Sequence, residues 1–126
     1  MAVFKILVID DDPVIQKLLQ VNFEIEGHEV IIASDGEQGL QFSVSMNPDI
    51  VILDIMMPRM DGLEVARKLR ANPQTRNIPI ILLSAKAQFL DISVGKETGA
   101  NEYITKPFDP LSLLEKVEEL ISSSQS

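Results

Sequence analysis

The stretch Ile50-Val51-Ile52-Leu53-Asp54 consists of four consecutive apolar residues that end at an aspartate. A short run of this kind, rich in β-branched residues and apolar on both faces, is typical of a strand inside a parallel sheet. Similar runs occupy residues 5–9, 29–33, 79–83 and 102–104, and longer amphipathic stretches separate them. This alternation predicts an α/β fold with a doubly wound, five-stranded parallel sheet and helices on both faces.

The stretches between these runs carry the signals of helix ends and of core faces. Pro13 suits the first turn of a first helix, and Gly27 follows its end. The last helix, from about Pro110, has the most regular spacing of apolar residues. The predicted core faces are Ile15, Leu18, Leu19 and Ile25 on the first helix, Val65, Ala66 and Leu69 on the third, and Leu113, Leu114, Val117, Leu120 and Ile121 on the last.

The composition is that of one globular domain. The chain has 126 residues, of which 45% are hydrophobic, and it has no cysteine. We expect a domain over residues 1–121, followed at 122–126 by a polar tail or the start of a linker. The absence of cysteine excludes disulfides, thiol nucleophiles and zinc–thiolate sites. Without a long apolar run or a signal-peptide pattern, the sequence predicts a cytoplasmic protein that does not span a membrane.

The net charge of −8 arises in the first half of the chain. Residues 1–58 contain ten acidic and two basic residues, whereas residues 59–126 contain nine of each. Such a distribution predicts no direct binding of nucleic acid, and it favours a cation site or a basic partner. Three aspartates at 10–12 also exclude a flavodoxin-like cofactor site, because a phosphate loop there would need hydrogen-bond donors.

Chemically active residues follow four of the predicted strands. The first strand ends at residues 10–12, all aspartate, and the third at Asp54; the fourth ends at Ser84 and the fifth at Lys106. In doubly wound folds the ligand site lies at the carboxyl ends of the strands. Carboxylates this close repel one another unless a cation is present, and an all-oxygen ligand set favours Mg²⁺. Asp11, Asp54 and a backbone carbonyl after Asp54 would suit Mg²⁺, and Asp54 could then act as a nucleophile towards a phosphoryl group.

Three segments, residues 8–13, 49–58 and 99–108, resemble the hallmark segments of response-regulator receiver domains, the chemotaxis-regulator-like switches of two-component signalling. The resemblance extends over nearly the whole chain. It implies the (βα)5 flavodoxin-like receiver fold with strand order 2-1-3-4-5. It also implies a switch that accepts a phosphoryl group from a histidine kinase, a phosphotransfer protein or a small phosphodonor, and that turns over no external substrate.

The resemblance also assigns roles to individual residues. It implies that Asp54 is the phosphoacceptor, with Asp11 as a metal ligand and Asp10 in the outer shell of the ion. The ion would be Mg²⁺, with Mn²⁺ as a substitute. The Met56 backbone carbonyl would be a further metal ligand, and Ser84 and Lys106 would contact the phosphoryl group. Ser84 and Tyr103 would be the switch residues, and the side chains of Met56 and Lys86 would control access to the phosphoryl group. The resemblance also implies a cis bond before Pro107.

The partners implied by the resemblance are a histidine kinase or phosphotransfer protein and a downstream protein target or fused output domain. Signalling would pass through the face formed by the fourth helix, the fifth strand and the last helix, which could also form a phosphorylation-dependent homodimer. The apolar residues of the fourth helix cannot all reach one core, which either loose packing or an exposed partner patch would explain. The signalling face implied by the resemblance favours the patch. The apolar residues are Phe89, Leu90, Ile92 and Val94.

The sequence leads to three further interpretations. Asp10 and Asp12 also fit the Asp-x-Asp-x-Val pattern of haloacid-dehalogenase-like phosphatases, although the chain offers no clear late acidic motif and no cap to enclose a substrate. Asp12 can equally be the N-cap of the first helix. His28 follows a helix-ending glycine, which predicts a solvated turn residue.

Overall fold

The computed structural model describes residues 3–85 and 98–125. Its sheet contains five parallel strands in the order β2-β1-β3-β4-β5, as the receiver resemblance implies. The strands are β1 (Lys5–Ile9), β2 (Glu29–Ala33), β3 (Ile50–Asp54), β4 (Ile80–Ser84) and β5 (Glu102–Thr105). The described helices are α1 (Pro13–Ile25), α2 (Gly36–Ser45), α3 (Gly62–Ala71) and the C-terminal helix (Pro110–Gln125). The predicted fourth helix, with its apolar patch, lies outside the described residues.

Each described helix that follows a strand begins where a polar side chain or a proline favours it. Asp12, Asp35 and Asp61 are the N-caps of α1, α2 and α3, and their side chains accept hydrogen bonds from backbone N–H groups of the first turn. Asp12 accepts from the N–H of Val14 at 2.9 Å, so the capping alternative is confirmed. Gly27 follows α1 with a φ of 92°, a conformation that favours glycine.

Two apolar layers cover the two faces of the sheet. Because successive strand residues point to opposite faces, Ile6 and Val8 of β1 pack on one side, and Leu7 and Ile9 on the other. The first layer includes side chains of α1 and the C-terminal helix, and the second includes side chains of α3. The predicted core faces of α3 and the C-terminal helix are confirmed. Because both faces of the sheet are covered, the carboxyl ends of the strands form an uncovered edge at which loops can build a site.

The predicted core face of α1 was partly wrong. Leu19 and Phe23 are fully buried, but Leu18 and Ile25 are exposed. The buried pair is spaced by four residues and shares one side of the helix, whereas Leu18 and Ile25 lie on another side. The first helix therefore carries apolar residues on two faces.

The prediction of a solvated His28 was also wrong. His28 is buried, and its ring stacks on Phe4 with centroids 5.2 Å apart. Its Nδ1 accepts a hydrogen bond from the Phe4 N–H at 3.1 Å, and its Nε2 lies 3.6 Å from a carboxylate oxygen of Glu118. Stacking on the Phe4 ring and two polar partners, the Phe4 N–H and the Glu118 carboxylate, make burial of His28 favourable. Phe4 and Glu118 are both remote from His28 in sequence.

The C-terminal helix continues to Gln125, whereas the sequence predicted a polar tail from residue 122. No glycine or proline follows Ile121 to end the helix, and serine lowers helix stability only modestly. Whether residues 122–126 begin a linker stays a prediction. Within the described part of the chain, no helix has the length and apolar character needed to cross a bilayer.

Candidate functional site

The carboxyl ends of β1 and β3 bring three aspartates together. These strands are neighbours, and Ile9 is paired with Leu53. The next residues, Asp10 and Asp54, therefore lie at the same level of the sheet. Carboxylate oxygens of Asp10, Asp11 and Asp54 all lie within 4.8 Å of one another. Asp10 is fully buried and Asp54 is 4% exposed, whereas Asp11 is exposed. We call these three residues the carboxylate cluster.

Lys106 contacts two members of the carboxylate cluster. Its Nζ lies 3.1 Å from Oδ2 of Asp10 and 3.3 Å from Oδ1 of Asp54. Its backbone N–H donates to the carbonyl oxygen of Ser84 at 2.8 Å, which fixes the residue just after β5 against the end of β4. The peptide bond from Lys106 to Pro107 is cis, as the resemblance implied. Residues far apart in the sequence thus form one charged site.

The pKa values at this site are shifted by burial and by neighbouring charges. The pKa of Asp54 is raised from 3.8 to about 6, because burial and, to a smaller extent, the charge of Asp10 outweigh the opposing effect of Lys106. Burial likewise raises the pKa of Asp10, although a backbone N–H and Lys106 oppose the change. For Lys106, burial lowers the pKa, but the charges of Asp10 and Asp54 outweigh it and the net shift is upward. The two buried carboxylates are therefore incompletely compensated by one ammonium group.

Further hydrogen bonds hold Asp10 in place. Its Oδ1 accepts from the N–H of Asp12 at 2.9 Å. The side-chain Nε2 of Gln16 donates to the Asp10 carbonyl oxygen at 2.6 Å and to the Ser34 hydroxyl at 3.2 Å. Gln16 was not predicted as a site residue. Its position four residues after the cap Asp12, on the half-buried side of α1, is the signal that would have pointed to it.

The composition of the cluster fits a hard divalent cation. Three carboxylates face a single ammonium group among the described residues, so a negative charge remains when all three are ionised. Mg²⁺ prefers oxygen ligands, takes one or two carboxylates and retains several waters. Asp11 is exposed, so an ion bound here could keep water ligands on that side. Asp10 and Asp54 are buried and would offer it oxygens in fixed positions.

Three of the other four predicted site residues lie in the part of the chain that the structure describes. Ser84 is buried at the end of β4, one position beyond the residue that pairs with Asp54. Tyr103 is half-buried in β5 and packs against the second core layer. The Met56 side chain is 44% exposed beside the site, and the backbone N–H of Met56 acts to lower the pKa of Asp54. Lys86 lies outside the described residues.

Gly62 at the start of α3 is a positioning residue for the strand end that carries Asp54. Its N–H donates to the Ile55 carbonyl at 2.9 Å, and a Cβ at this position would overlap the Asp54 carbonyl oxygen and the Ile55 Cα. Only a residue without a side chain lets α3 begin directly against the strand end that carries Asp54.

Gly62→Ala is therefore expected to lower the free energy of unfolding by about 1 to 3 kcal/mol, because backbone atoms must shift to admit the methyl group. Urea unfolding measures the loss. Gly27→Ala is the control: a Cβ there meets open space, so only the positive φ adds a cost and the loss should be smaller. Wild-type stability for Gly62→Ala would contradict the close contact.

Comparison with known proteins identifies the family. Residues 6–118 match the family model of the response regulator receiver domain. The transcriptional regulator RpaA of Synechocystis is 41% identical over 117 residues, and the alkaline phosphatase synthesis regulator PhoP of Bacillus subtilis is 43% identical over 121 residues. These matches cover 93% and 96% of this chain but 48% and 50% of the relatives. The chain thus spans about half the length of these relatives.

Solved structures agree with this assignment. A CheY-like receiver domain from Methanospirillum hungatei superposes with a TM-score of 0.90 at 29% identity and covers 98% of each chain. The receiver domain of a sensor histidine kinase from Pseudomonas aeruginosa has a TM-score of 0.86 at 30% identity, covers 96% of this chain and 99% of its own, and holds a magnesium ion in its active site cleft.

The chain belongs to the response regulator receiver domain family. It is therefore a signalling domain of two-component systems, with the flavodoxin-like receiver fold. The alternative of a haloacid-dehalogenase-like phosphatase finds no support: the match is to receiver domains, and the Asp12 carboxylate caps α1.

Proposed function

We propose that Asp54 accepts a phosphoryl group from a histidine kinase, a phosphotransfer protein or a small phosphodonor. The observation that carries the proposal is the Asp54 carboxylate, held at the end of β3 close to both Lys106 and the Asp10–Asp11 pair. An Asp54 oxygen attacks phosphorus, the bond from phosphorus to the donor breaks, and the donor leaves with the electron pair. The product is an aspartyl phosphate on this chain, and no external substrate is turned over.

The neighbouring residues would stabilise the charge that develops on the transferring oxygens. Lys106 Nζ already lies 3.3 Å from Asp54, close enough to contact an oxygen of a group attached there. Ser84 would donate its hydroxyl to another of these oxygens. Asp11, Asp54 and the Met56 carbonyl would hold Mg²⁺, or Mn²⁺ in its place, with Asp10 in the outer shell. When bound, Mg²⁺ supplies positive charge that lets the anionic carboxylate and phosphoryl group approach.

The new charge would act as a switch. Hydrogen bonding of Ser84 to the phosphoryl group would draw the end of β4 towards Asp54, and Tyr103 on neighbouring β5 would repack. Moving from a mostly inactive to a mostly active population requires about 5.5 kcal/mol of difference between the two states. Charge-assisted hydrogen bonds to the phosphoryl group would supply much of that difference. Met56 and Lys86 would control how easily water reaches the aspartyl phosphate.

The signal would leave through β5, the C-terminal helix and the segment between β4 and β5. The output would be a downstream protein, a fused output domain or a phosphorylation-dependent homodimer formed through that face. The named functions of RpaA as a DNA-binding regulator and PhoP as a transcriptional regulator favour a fused output domain, because this chain matches half of each. The receiver domain itself, with a net charge of −8, would not contact DNA directly, and it would act in the cytoplasm.

Intact mass after incubation with acetyl phosphate and Mg²⁺ tests the phosphoryl chemistry. We expect one phosphoryl adduct on the wild-type chain, and none after chelation of Mg²⁺ or on Asp54→Asn. Asp61→Asn is a matched control, because Asp61 caps α3 outside the carboxylate cluster, and it should retain the adduct. An adduct that persists on Asp54→Asn, or no adduct on the wild type, would refute the proposal.

A further inference from the structure

The carbonyl group at the end of β1 is held by a side chain of α1. The N–H of Asp10 still follows the strand pairing and donates to the Ala33 carbonyl at 3.1 Å. The carbonyl oxygen of Asp10 instead accepts from Nε2 of Gln16 at 2.6 Å, which is shorter than the typical length of about 2.9 Å. Both backbone groups of Asp10 are therefore fixed, one by the sheet and the other by Gln16.

The same amide group also contacts the residue that follows β2. A carbonyl oxygen can only accept, so the atom beside the Asp10 oxygen must be the amide nitrogen of Gln16. The second hydrogen of this nitrogen serves the hydroxyl oxygen of Ser34, which lies 3.2 Å away. Ser34 comes directly after β2, so one side chain connects the carboxyl ends of β1 and β2.

Ser34 is in turn anchored to α2. Its N–H donates to Oε1 of Gln38 at 2.8 Å, and the N–H of Gln38 donates to the cap residue Asp35 at 2.7 Å. Ser34 is exposed, but its backbone is thus tied to the first turn of α2. We call the series formed by the Asp10 carbonyl, Gln16, Ser34 and Gln38 the Gln16 bridge.

The peptide group that Gln16 holds leads directly to Asp11. The Asp10 carbonyl and the Asp11 N–H belong to one planar group, so a fixed oxygen also fixes the direction in which the chain enters Asp11. Among the described residues, none forms a hydrogen bond or an ion pair with the exposed Asp11 carboxylate. The Asp10 carboxylate differs, because the Asp12 N–H and Lys106 hold it directly. The position of the Asp11 carboxylate therefore depends on its backbone.

We propose that Gln16 is a positioning residue for Asp11 as a ligand of Mg²⁺, and that it acts through the peptide group between Asp10 and Asp11. The proposal rests on the proposed function, in which Asp11 binds the ion. Removal of a group that orients a metal ligand typically lowers metal affinity by about tenfold or more. Loss of the Gln16 amide should therefore weaken Mg²⁺ binding while the fold is kept.

Gln16→Met tests the proposal, because methionine is similar in length but offers no hydrogen-bond donor. Titration with Mg²⁺, followed by the amide signals in NMR spectra and without a phosphodonor, measures the dissociation constant. We expect this constant to rise about tenfold. Amide signals remote from the carboxylate cluster should keep their wild-type positions, which shows in the same spectra that the variant is folded.

Gln20→Met is the matched control. Gln20 lies one turn further along α1 and is half-buried like Gln16, but its side chain forms no hydrogen bond with the described residues. The dissociation constant of this variant should equal that of the wild type. A Gln16→Met variant that binds Mg²⁺ as tightly as the wild type overturns the proposal.

Ser34→Ala distinguishes positioning from a general loss of stability. Ser34 is exposed, so this variant should fold, and it should raise the dissociation constant by a smaller factor than Gln16→Met does. Ser34 acts through the Gln16 amide, so Ser34→Ala should have no further effect when it is added to Gln16→Met. Effects that simply add would mean that the two residues act independently, and they would overturn the Gln16 bridge.

The same titration separates this proposal from the proposed function. A wild-type chain that binds no Mg²⁺ overturns both the role of Gln16 and the metal site. A wild-type chain that binds Mg²⁺ but forms no adduct with acetyl phosphate contradicts only the phosphoryl transfer, and the comparison of Gln16→Met with Gln20→Met still decides the role of Gln16.

Discussion

Lys106→Met is expected to lower the free energy of unfolding of the metal-free protein by about 3 kcal/mol at pH 8. Lys106 Nζ contacts Asp10 and Asp54 at 3.1 and 3.3 Å, and both carboxylates are almost completely buried. Methionine keeps the apolar stem but leaves two buried negative charges without a counter-charge. The loss should be smaller at pH 5, where the raised pKa values of Asp54 and Asp10 let protons neutralise the pair.

Urea unfolding with a chelator present measures this effect, and Mg²⁺ should restore much of the lost stability of Lys106→Met. Lys116→Met is the matched control. Lys116 makes ion pairs at 3.5 Å with Glu102 and Glu119 in a partly exposed position, where such pairs contribute about 1 kcal/mol or less. If both substitutions change stability equally, Lys106 is an ordinary surface charge and the site is misassigned.

Asp54→Asn is expected to stabilise the metal-free protein at pH 8, by up to about 3 kcal/mol. The pKa of Asp54 is raised from 3.8 to about 6, chiefly by burial and then by the charge of Asp10, and each unit of pKa shift corresponds to about 1.4 kcal/mol. The folded protein thus retains this proton to a higher pH than the unfolded chain does. The stabilisation from the proton is complete below about pH 4 and is lost as the pH rises through about 6. Neutral asparagine avoids the loss.

The free energy of unfolding as a function of pH, in chelator, tests this prediction. The wild type should lose stability between pH 4 and 7, and Asp54→Asn should lose less. Asp11→Asn is the control, because Asp11 is an exposed carboxylate of the same cluster, so its profile should follow the wild type. A wild-type profile that rises or stays flat over this range would contradict the unfavourable ionisation of Asp54.

The sheet and the site could be predicted because both depend on local sequence signals. Runs such as residues 50–54 define buried strands by composition, and the parallel connections then bring their carboxyl ends together. The meeting of Asp10, Asp54 and Lys106 follows from this topology. The roles of Tyr103 and of the Met56 and Lys86 side chains rested on the resemblance, whereas the role of Ser84 also followed from its place at a strand end. All of these roles remain proposals.

The errors concern contacts between residues that are remote in sequence. His28 was expected in solvent because its local signals are those of a turn, whereas its partners Phe4 and Glu118 come from the two ends of the chain. The core face of α1 was misjudged because apolar residues occupy two sides of the helix, and the sheet decides which side is buried. Gly62 was missed because its tight contact with the strand end is visible only in three dimensions.

The position of the residue that becomes phosphorylated tests the central claim most directly. Sodium borohydride reduces an acyl phosphate to the alcohol, so an aspartyl phosphate is recovered as homoserine, and peptide sequencing then locates it. The account predicts homoserine at position 54 alone, after incubation of the chain with acetyl phosphate and Mg²⁺. Homoserine at position 10 or 12, as a phosphatase-like nucleophile would give, would contradict it.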